Sequence, residues 1–414
     1  MGEIMFKKRL ENARWREFES STYFLYKALS LYAAIIALSV FLTSCTGMTN
    51  KYVDDYEYVW NLLESNYPYY RCIENEGLDI EDVKERYSNE VIDVDNEESF
   101  AEVLSRMFDE LGGLAHLSVV DNNTYIGYWS VLNSGGFGNE RIDTAFRERL
   151  TSKKLAPRYS LKNSNELDVN KEDMYPQVEI QYIEDINTLL LKIPSFSQDL
   201  IDRDKDVLVK AFADYPKTEN VIFDISGNSG GSDKYWIENL VEPFGGSYEQ
   251  KSILYFKESD LTEEYLGNDM LSDIASLENV PKCVLELNLD KYMDNSLSVS
   301  GETKIKSNCK DIKKWVLISG KTYSSADSFV QFCKDTNWAC LVGDSTGGAG
   351  GGITPVLELL PNSGLLVRFS IDVVVDDDKL NVIEGTSPNI QCIKNEMTLE
   401  KCIEQIRQDS QAGL

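Results

Sequence analysis

Apolar residues recur at helical spacing through the first part of the chain after residue 46. Tyr56, Val59, Trp60 and Leu63 mark one such face, and Phe100, Val103, Leu104, Met107 and Phe108 mark another. Residues 46–120 are therefore expected to form a helical region. Its end is Leu111-Gly112-Gly113-Leu114-Ala115-His116-Leu117. Residues 121–185 are polar with weak periodicity and read as a linker with a few strands that shape a cleft. From residue 188 the pattern changes to short apolar runs alternating with amphipathic stretches. Strands are expected at 188–196, 220–225, 315–319 and 339–343, and helices at 199–215, 234–241 and 326–333. An antiparallel pair follows at 354–360 and 364–372, turning at Pro361-Asn362-Ser363-Gly364. Strands alternating with helices imply an α/β sheet with partly parallel order over a core of 186–396. A terminal helix is expected at 397–414.

Composition narrows the function. The chain has 414 residues, and its 42% hydrophobic content suits a packed core. Its 69 acidic and 41 basic residues give a net charge of −28. That charge would repel phosphate, so nucleic acid is not an expected partner. The longest apolar stretch, 23–44, follows Lys7, Lys8, Arg9, Arg14 and Arg16, contains Lys27 near its start, and runs through Leu42-Thr43-Ser44 into Cys45. Residues 1–45 read as a secretory signal. Leu-Thr-Ser-Cys resembles the bacterial lipoprotein type, cut before an acylated Cys45, which implies an extracytoplasmic protein held at the membrane by lipid alone. An uncleaved membrane anchor and an ordinary cleaved signal fit the same stretch. Seven further cysteines, an odd number without a CxxC pair, select no disulfide pattern. One histidine and no clustered thiols leave no expected metal site or cofactor.

Three segments carry candidate chemistry. His116 is the one imidazole in the chain. Ser324 and Ser325 lie where a strand gives way to a helix, where a serine is ordinarily an N-cap. A helix N-terminus also offers free N–H groups and a favourable dipole to a developing oxyanion. Asp224-Ile225-Ser226-Gly227-Asn228-Ser229-Gly230-Gly231 is a glycine turn directly after an apolar run. It could bring backbone donors close to a substrate. It lacks the Lys-Ser/Thr ending of a nucleotide-binding P-loop.

In their order these segments resemble the tail-specific, or C-terminal-processing, serine peptidases, particularly the branch similar to the tricorn catalytic core. Residues 111–117 look like the family's Leu-x-Asp-Gly-His and 224–231 like its Asp-Leu-Arg-x-Asn-x-Gly-Gly. Thr322 to Asp327 look like Thr-x-Ser-x-x-Glu, 342–348 like Val-Gly-x-x-Thr-x-Gly, and 383–390 like Glu-Gly-x-x-Pro-Asp-hydrophobic. The resemblance implies a crotonase-like α/β spiral core behind a helical N-terminal region. It implies peptide hydrolysis of extracytoplasmic polypeptides through an acyl-enzyme on Ser324, with Ser325 as the alternative nucleophile. His116 would be the general base and Glu384 its orienting carboxylate, directly or through water. The N–H groups of Gly230, Gly231 and Ser325 would form the oxyanion hole.

The departures are informative. No lysine occurs from 339 to 378, and Ala349 stands at the position of the Ser–Lys branch's lysine, so that dyad is excluded. Ser226 replaces the family arginine, Asp327 its glutamate, Asn389 its aspartate, and Ala115 the serine before the tricorn-like histidine. These replacements support an alternative, a non-catalytic peptide- or ligand-binding lipoprotein on the same scaffold. A crotonase-like acyl-CoA activity is disfavoured, because no basic site for the CoA phosphates is evident.

Overall fold

The computed structural model describes residues 50–75, 77–159, 176–302, 312–376, 378–392 and 397–412. The signal-like segment, Cys45 and Cys309 lie outside the described residues. The six described cysteines are all free thiols. Among the described residues, no helix is long and apolar enough to cross a membrane.

Helices Lys51–Asn66, Tyr70–Asn75, Ile80–Val91 and Glu97–Glu110 open the described chain. Asn50, Asp79 and Asn96 start three of them, each side chain accepting a first-turn N–H that has no intrahelical partner. Their apolar faces, including Val59, Trp60, Phe100, Leu104 and Met107, are buried in one cluster. The reading of 121–185 needs correction. It contains two helices, Asn122–Asn133 and Glu140–Leu150, besides the strand Glu179–Ile183. Asp121 and Asn139 cap the two helices. Their buried faces mix Tyr125, Tyr128 and Phe146 with Ser130, Leu132, Ile142, Ala145 and Leu150, a heterogeneous stripe that hides helical periodicity among Asn, Ser and Gly.

The central sheet has six strands in the order Ile390–Gln391, Cys340–Gly343, Lys313–Ile318, Asn220–Asp224, Thr188–Lys192, Glu179–Ile183. All neighbours are parallel except the last pair. The inner strands are covered on both faces, which is why Thr188–Lys192, Asn220–Asp224 and Lys313–Ile318 read as continuous apolar runs rather than alternating ones. Leu189, Leu191, Val221, Phe223, Val316 and Ile318 face one core, with helices Ile201–Asp214 and Ser325–Thr336 against it. Leu190, Ile222, Trp315 and Leu317 face the other, closed by Cys402 and Ile406 of helix Thr398–Ala412. The α/β core behind a helical N-terminal region is thus the architecture of the chain.

Two smaller sheets connect this core to the helical region. In one, Gly246–Phe256 pairs antiparallel with Lys291–Gly301 over eleven residues. One end of this ribbon (Leu254, Tyr255 and Phe256) is buried with the helices, and the other (Tyr248, Leu297 and Val299) packs against the central sheet. The second sheet is Ser118–Val119, Leu366–Phe369 and Val356–Leu359, all antiparallel. Its turn is fixed from the far end of the sequence. The buried Asp55 carboxylate accepts the N–H groups of Asn362 (3.0 Å) and Ser363 (2.6 Å). The expected antiparallel pair thereby places Leu366–Phe369 directly beside the strand that follows His116.

Candidate active site

Strand Lys313–Ile318 leads through Thr322 into helix Ser325–Thr336, with Ser324 at the N-cap. Thr322 is fully buried, and its hydroxyl donates to Ile225 O at 3.1 Å. Ser324 adopts φ 55° and ψ −128°, a conformation costly for a residue with a Cβ. The turn is held because its N–H donates to Gly348 O (3.0 Å) and its carbonyl accepts from Ser328 N (2.9 Å). Gly230 packs against it. A Cβ there would come within 2.7 Å of Tyr323 O and 3.0 Å of Ser325 N, at a φ of +104°. This is the close approach that requires glycine.

His116 sits in a run of left-handed backbone, with positive φ at Gly112, Gly113, Ala115 and His116. Several peptide groups of the run are tied down. Gly113 N donates to Phe108 O (2.8 Å), Tyr67 Oη to Leu114 O (2.7 Å) and Ser370 N to Ala115 O (2.8 Å). The His116 N–H donates to Tyr323 Oη (3.3 Å), and Ser118 Oγ donates to His116 O (3.0 Å).

The two segments bring His116 Nε2 to 3.0 Å from Ser324 Oγ. The other ring nitrogen, Nδ1, lies 3.3 Å from Ser370 Oγ. Burial, and then the charge of Arg368, push the imidazole pKa down to about 3, so the ring is neutral near pH 7. With its proton on Nδ1 donated to Ser370, Nε2 is left as the acceptor for the Ser324 hydroxyl. Ser325 is turned away, its side chain buried in the helix start.

Other expected residues fall elsewhere. Glu384 is not at the imidazole. It is exposed, 3.8 Å from Lys379 Nζ, at the end of the short helix Asn381–Glu384. That helix turns Asn381 and Val382 inward, and the tight contact of Gly385 with Thr346 O fixes this orientation. Ser370 takes the Nδ1 position instead. Gly230 also needs correction as an oxyanion donor, because its N–H is taken by Asn228 Oδ1 at 2.8 Å. The Ser325 N–H, first in its helix, has no intrahelical acceptor. It remains as a donor, with the N–H of Gly231 beyond the turn.

The altered family positions have structural partners. Asp327 is fully buried and accepts from Thr346 Oγ1, Gln331 Nε2 (2.9 Å), Gly350 N (3.1 Å) and Asn381 Nδ2 (3.0 Å). It ties helix Ser325–Thr336 to the glycine loop. The Ser226 hydroxyl donates to Asp224 Oδ1 (2.7 Å). Asn389 Oδ1 accepts from Leu341 N (2.7 Å) and aligns the short edge strand. Sequence reasoning missed Ser370 and Arg368. Their trace is alternation: Leu366, Arg368 and Ser370 share one side of a strand whose other residues are apolar, so the two polar groups point together.

Among the described residues, no group of side chains suits a metal ion. Residues 48–109 match the Tricorn protease C1 domain, and residues 187–392 match Peptidase family S41. No curated protein matches the sequence. Among solved structures, a candidate peptidase from Parabacteroides merdae ATCC 43184 is similar at a TM-score of 0.52 and 19% identity, covering 85% of this chain and 96% of its own. A mutant of CPAF is similar at 0.50 and 13%, covering 87% and 96%. At these identities the likeness is one of fold. The two family matches lie in chain order, and across residues 187–392 this chain is similar to the peptidases of family S41.

Proposed function

We propose that the chain is a serine-type endopeptidase that cleaves extracytoplasmic polypeptides through an acyl-enzyme on Ser324. The observation that carries this reading is the 3.0 Å approach of Ser324 Oγ to His116 Nε2. Serine is a poor nucleophile without an adjacent base. His116 takes the hydroxyl proton as Ser324 attacks the scissile carbonyl, and returns it to the leaving amine. Ser370 holds the ring through Nδ1 and fixes its tautomer. The N–H groups of Ser325 and Gly231 serve the oxyanion, aided by the dipole of the nucleophile helix. Water then attacks the ester with the same imidazole as base. Among the described residues no carboxylate is hydrogen-bonded to the ring, so Ser370 orients it without neutralising the imidazolium. A lipid on Cys45 would hold the enzyme at the outer face of a membrane; radiolabelled palmitate incorporation, lost in Cys45→Ala, tests that part.

A second reading has one specific support. An imidazole this weakly basic, with no acidic partner among the described residues, also suits a peptide-binding protein that has lost turnover. One experiment separates the two. The wild-type protein should hydrolyse denatured casein and be labelled by a fluorophosphonate, and Ser324→Ala should lose both. The expected loss of turnover is at least about 10⁴-fold. A folded wild type that neither cleaves nor labels would remove the peptidase reading and favour the binding one.

A further inference from the structure

Arg368 is a half-buried cation with no described counter-ion. Its Nε donates to Ser118 Oγ (3.0 Å) and its Nη1 to Tyr128 Oη (3.3 Å), both neutral hydroxyls. Among the described residues, no carboxylate lies within ion-pair distance of it. Asp121, whose negative field reaches it, is engaged in capping helix Asn122–Asn133, its Oδ1 accepting from Thr124 N (2.7 Å). Holding a guanidinium away from water without an opposite charge is expensive, and such groups are normally paired. Ser118 and Tyr128 hold the guanidinium plane through Nε and Nη1, and Nη2, with no hydrogen-bond partner among the described residues, is the donor left to meet a carboxylate.

Its location gives the charge a role. Arg368 stands two residues before Ser370 on the same strand face, with Ser118 linking it to His116 O. The segment bearing it also supplies the Nδ1 partner of the base.

We infer that Arg368 is the receptor for a carboxylate of the bound peptide, either its C-terminal α-carboxylate or an acidic side chain close to the scissile bond. This rests on the peptidase reading only for its catalytic consequence; recognition stands without turnover. The consequence concerns the base. The charged or titratable groups facing the imidazole are Arg368 from the strand and Tyr323 from the turn before the nucleophile helix, flanked by the neutral hydroxyls of Ser324 and Ser370. An anion paired with Arg368 cancels the positive field on the ring. Substrate binding would therefore make His116 more basic as the reacting complex forms.

The test is binding to the Ser324→Ala protein, so that turnover is irrelevant. Three short N-acetyl alanine peptides are compared by calorimetry: one ending in a carboxylate, one in an amide, and one amidated with an internal glutamate. Charge-assisted pairing predicts a preference of ~10–100-fold for a carboxylate-bearing peptide over the neutral amide. Which of the two anionic peptides binds tighter identifies the source. In Ser324→Ala/Arg368→Gln the preference should collapse to near unity, and with Arg368→Lys it should be partly kept. Equal binding of all three peptides by the Arg368 protein overturns the inference. So does an undiminished preference after Arg368→Gln in a folded variant. In the active protein, the acid limb of kcat should lie above that of kcat/KM for the preferred peptide, and the two should coincide for the amide. Fluorophosphonate labelling of the wild type reports separately on the peptidase reading.

Discussion

Ser324 stands at the end of a strand buried on both faces and opens a helix packed on the same sheet. His116 stands in a short loop of left-handed residues, held by single hydrogen bonds to Tyr67, Ser370 and Tyr323. One half of the pair is positioned by the packing of a parallel sheet, the other by backbone conformation and a strand of only two residues. A packed element tolerates loss of a single polar contact far better than a loop does. The two halves should therefore fail differently, the nucleophile through steric intrusion and the base through loss of hydrogen bonds.

The sharpest way to break the nucleophile half is Gly230→Ala. A methyl group there would strike Tyr323 O and crowd Ser324 and Ser325. Turnover should fall by on the order of 10²–10³, the cost of displacing an oxyanion donor. Circular dichroism should show the fold retained, and near wild-type turnover would remove this turn from the site.

On the base side, Asp372 follows Ser370 closely and is buried, with Oδ1 unpartnered. Burial pushes its carboxyl up to about 7. Between about pH 4 and pH 7 the folded protein holds a proton that the unfolded chain has released. Stability should therefore fall as pH rises through that window, and stay reduced above it. Asp372→Asn removes the penalty, with a gain of ~2–4 kcal/mol at pH 8 that vanishes towards pH 4. Denaturant titrations at the two pH values measure it; a gain independent of pH would contradict this assignment.

Ser370→Ala should lower kcat about five- to tenfold, the worth of one neutral hydrogen bond, with KM little changed. The smallest effect is the most discriminating one. Glu384→Gln should alter kcat/KM by less than about twofold, since an exposed ion pair contributes little. A loss larger than that of Ser370→Ala would return the orienting role to Glu384.

The same contrast governs what could be read from the chain. Strands covered on both faces, such as 188–192 and 220–224, announce themselves as apolar runs, and the segments bearing Ser324 and His116 follow from ordered motifs. The partner of Nδ1 does not. Ser370 reaches His116 because Ser118 registers with Arg368 across a sheet of three strands, and cross-strand register is not a property of any single segment. The carboxylate of Glu-Gly was expected inward because a motif fixes identity but not orientation. Here Asn381 and Thr386 occupy the buried side of that turn. Gly230 was expected to donate to substrate, but Asn228, two residues away, captures its N–H.

The seating of Asp55 in the turn at Asn362 and Ser363 has a consequence for biosynthesis. The first described helix and the strand that steadies the imidazole are joined across some three hundred positions of sequence. A nascent chain that has not yet emerged past Ser370 lacks the sheet against which the histidine loop is set. Its serine turn can be complete while the imidazole remains unplaced, so the two side chains come together only after the strand Leu366–Phe369 has emerged.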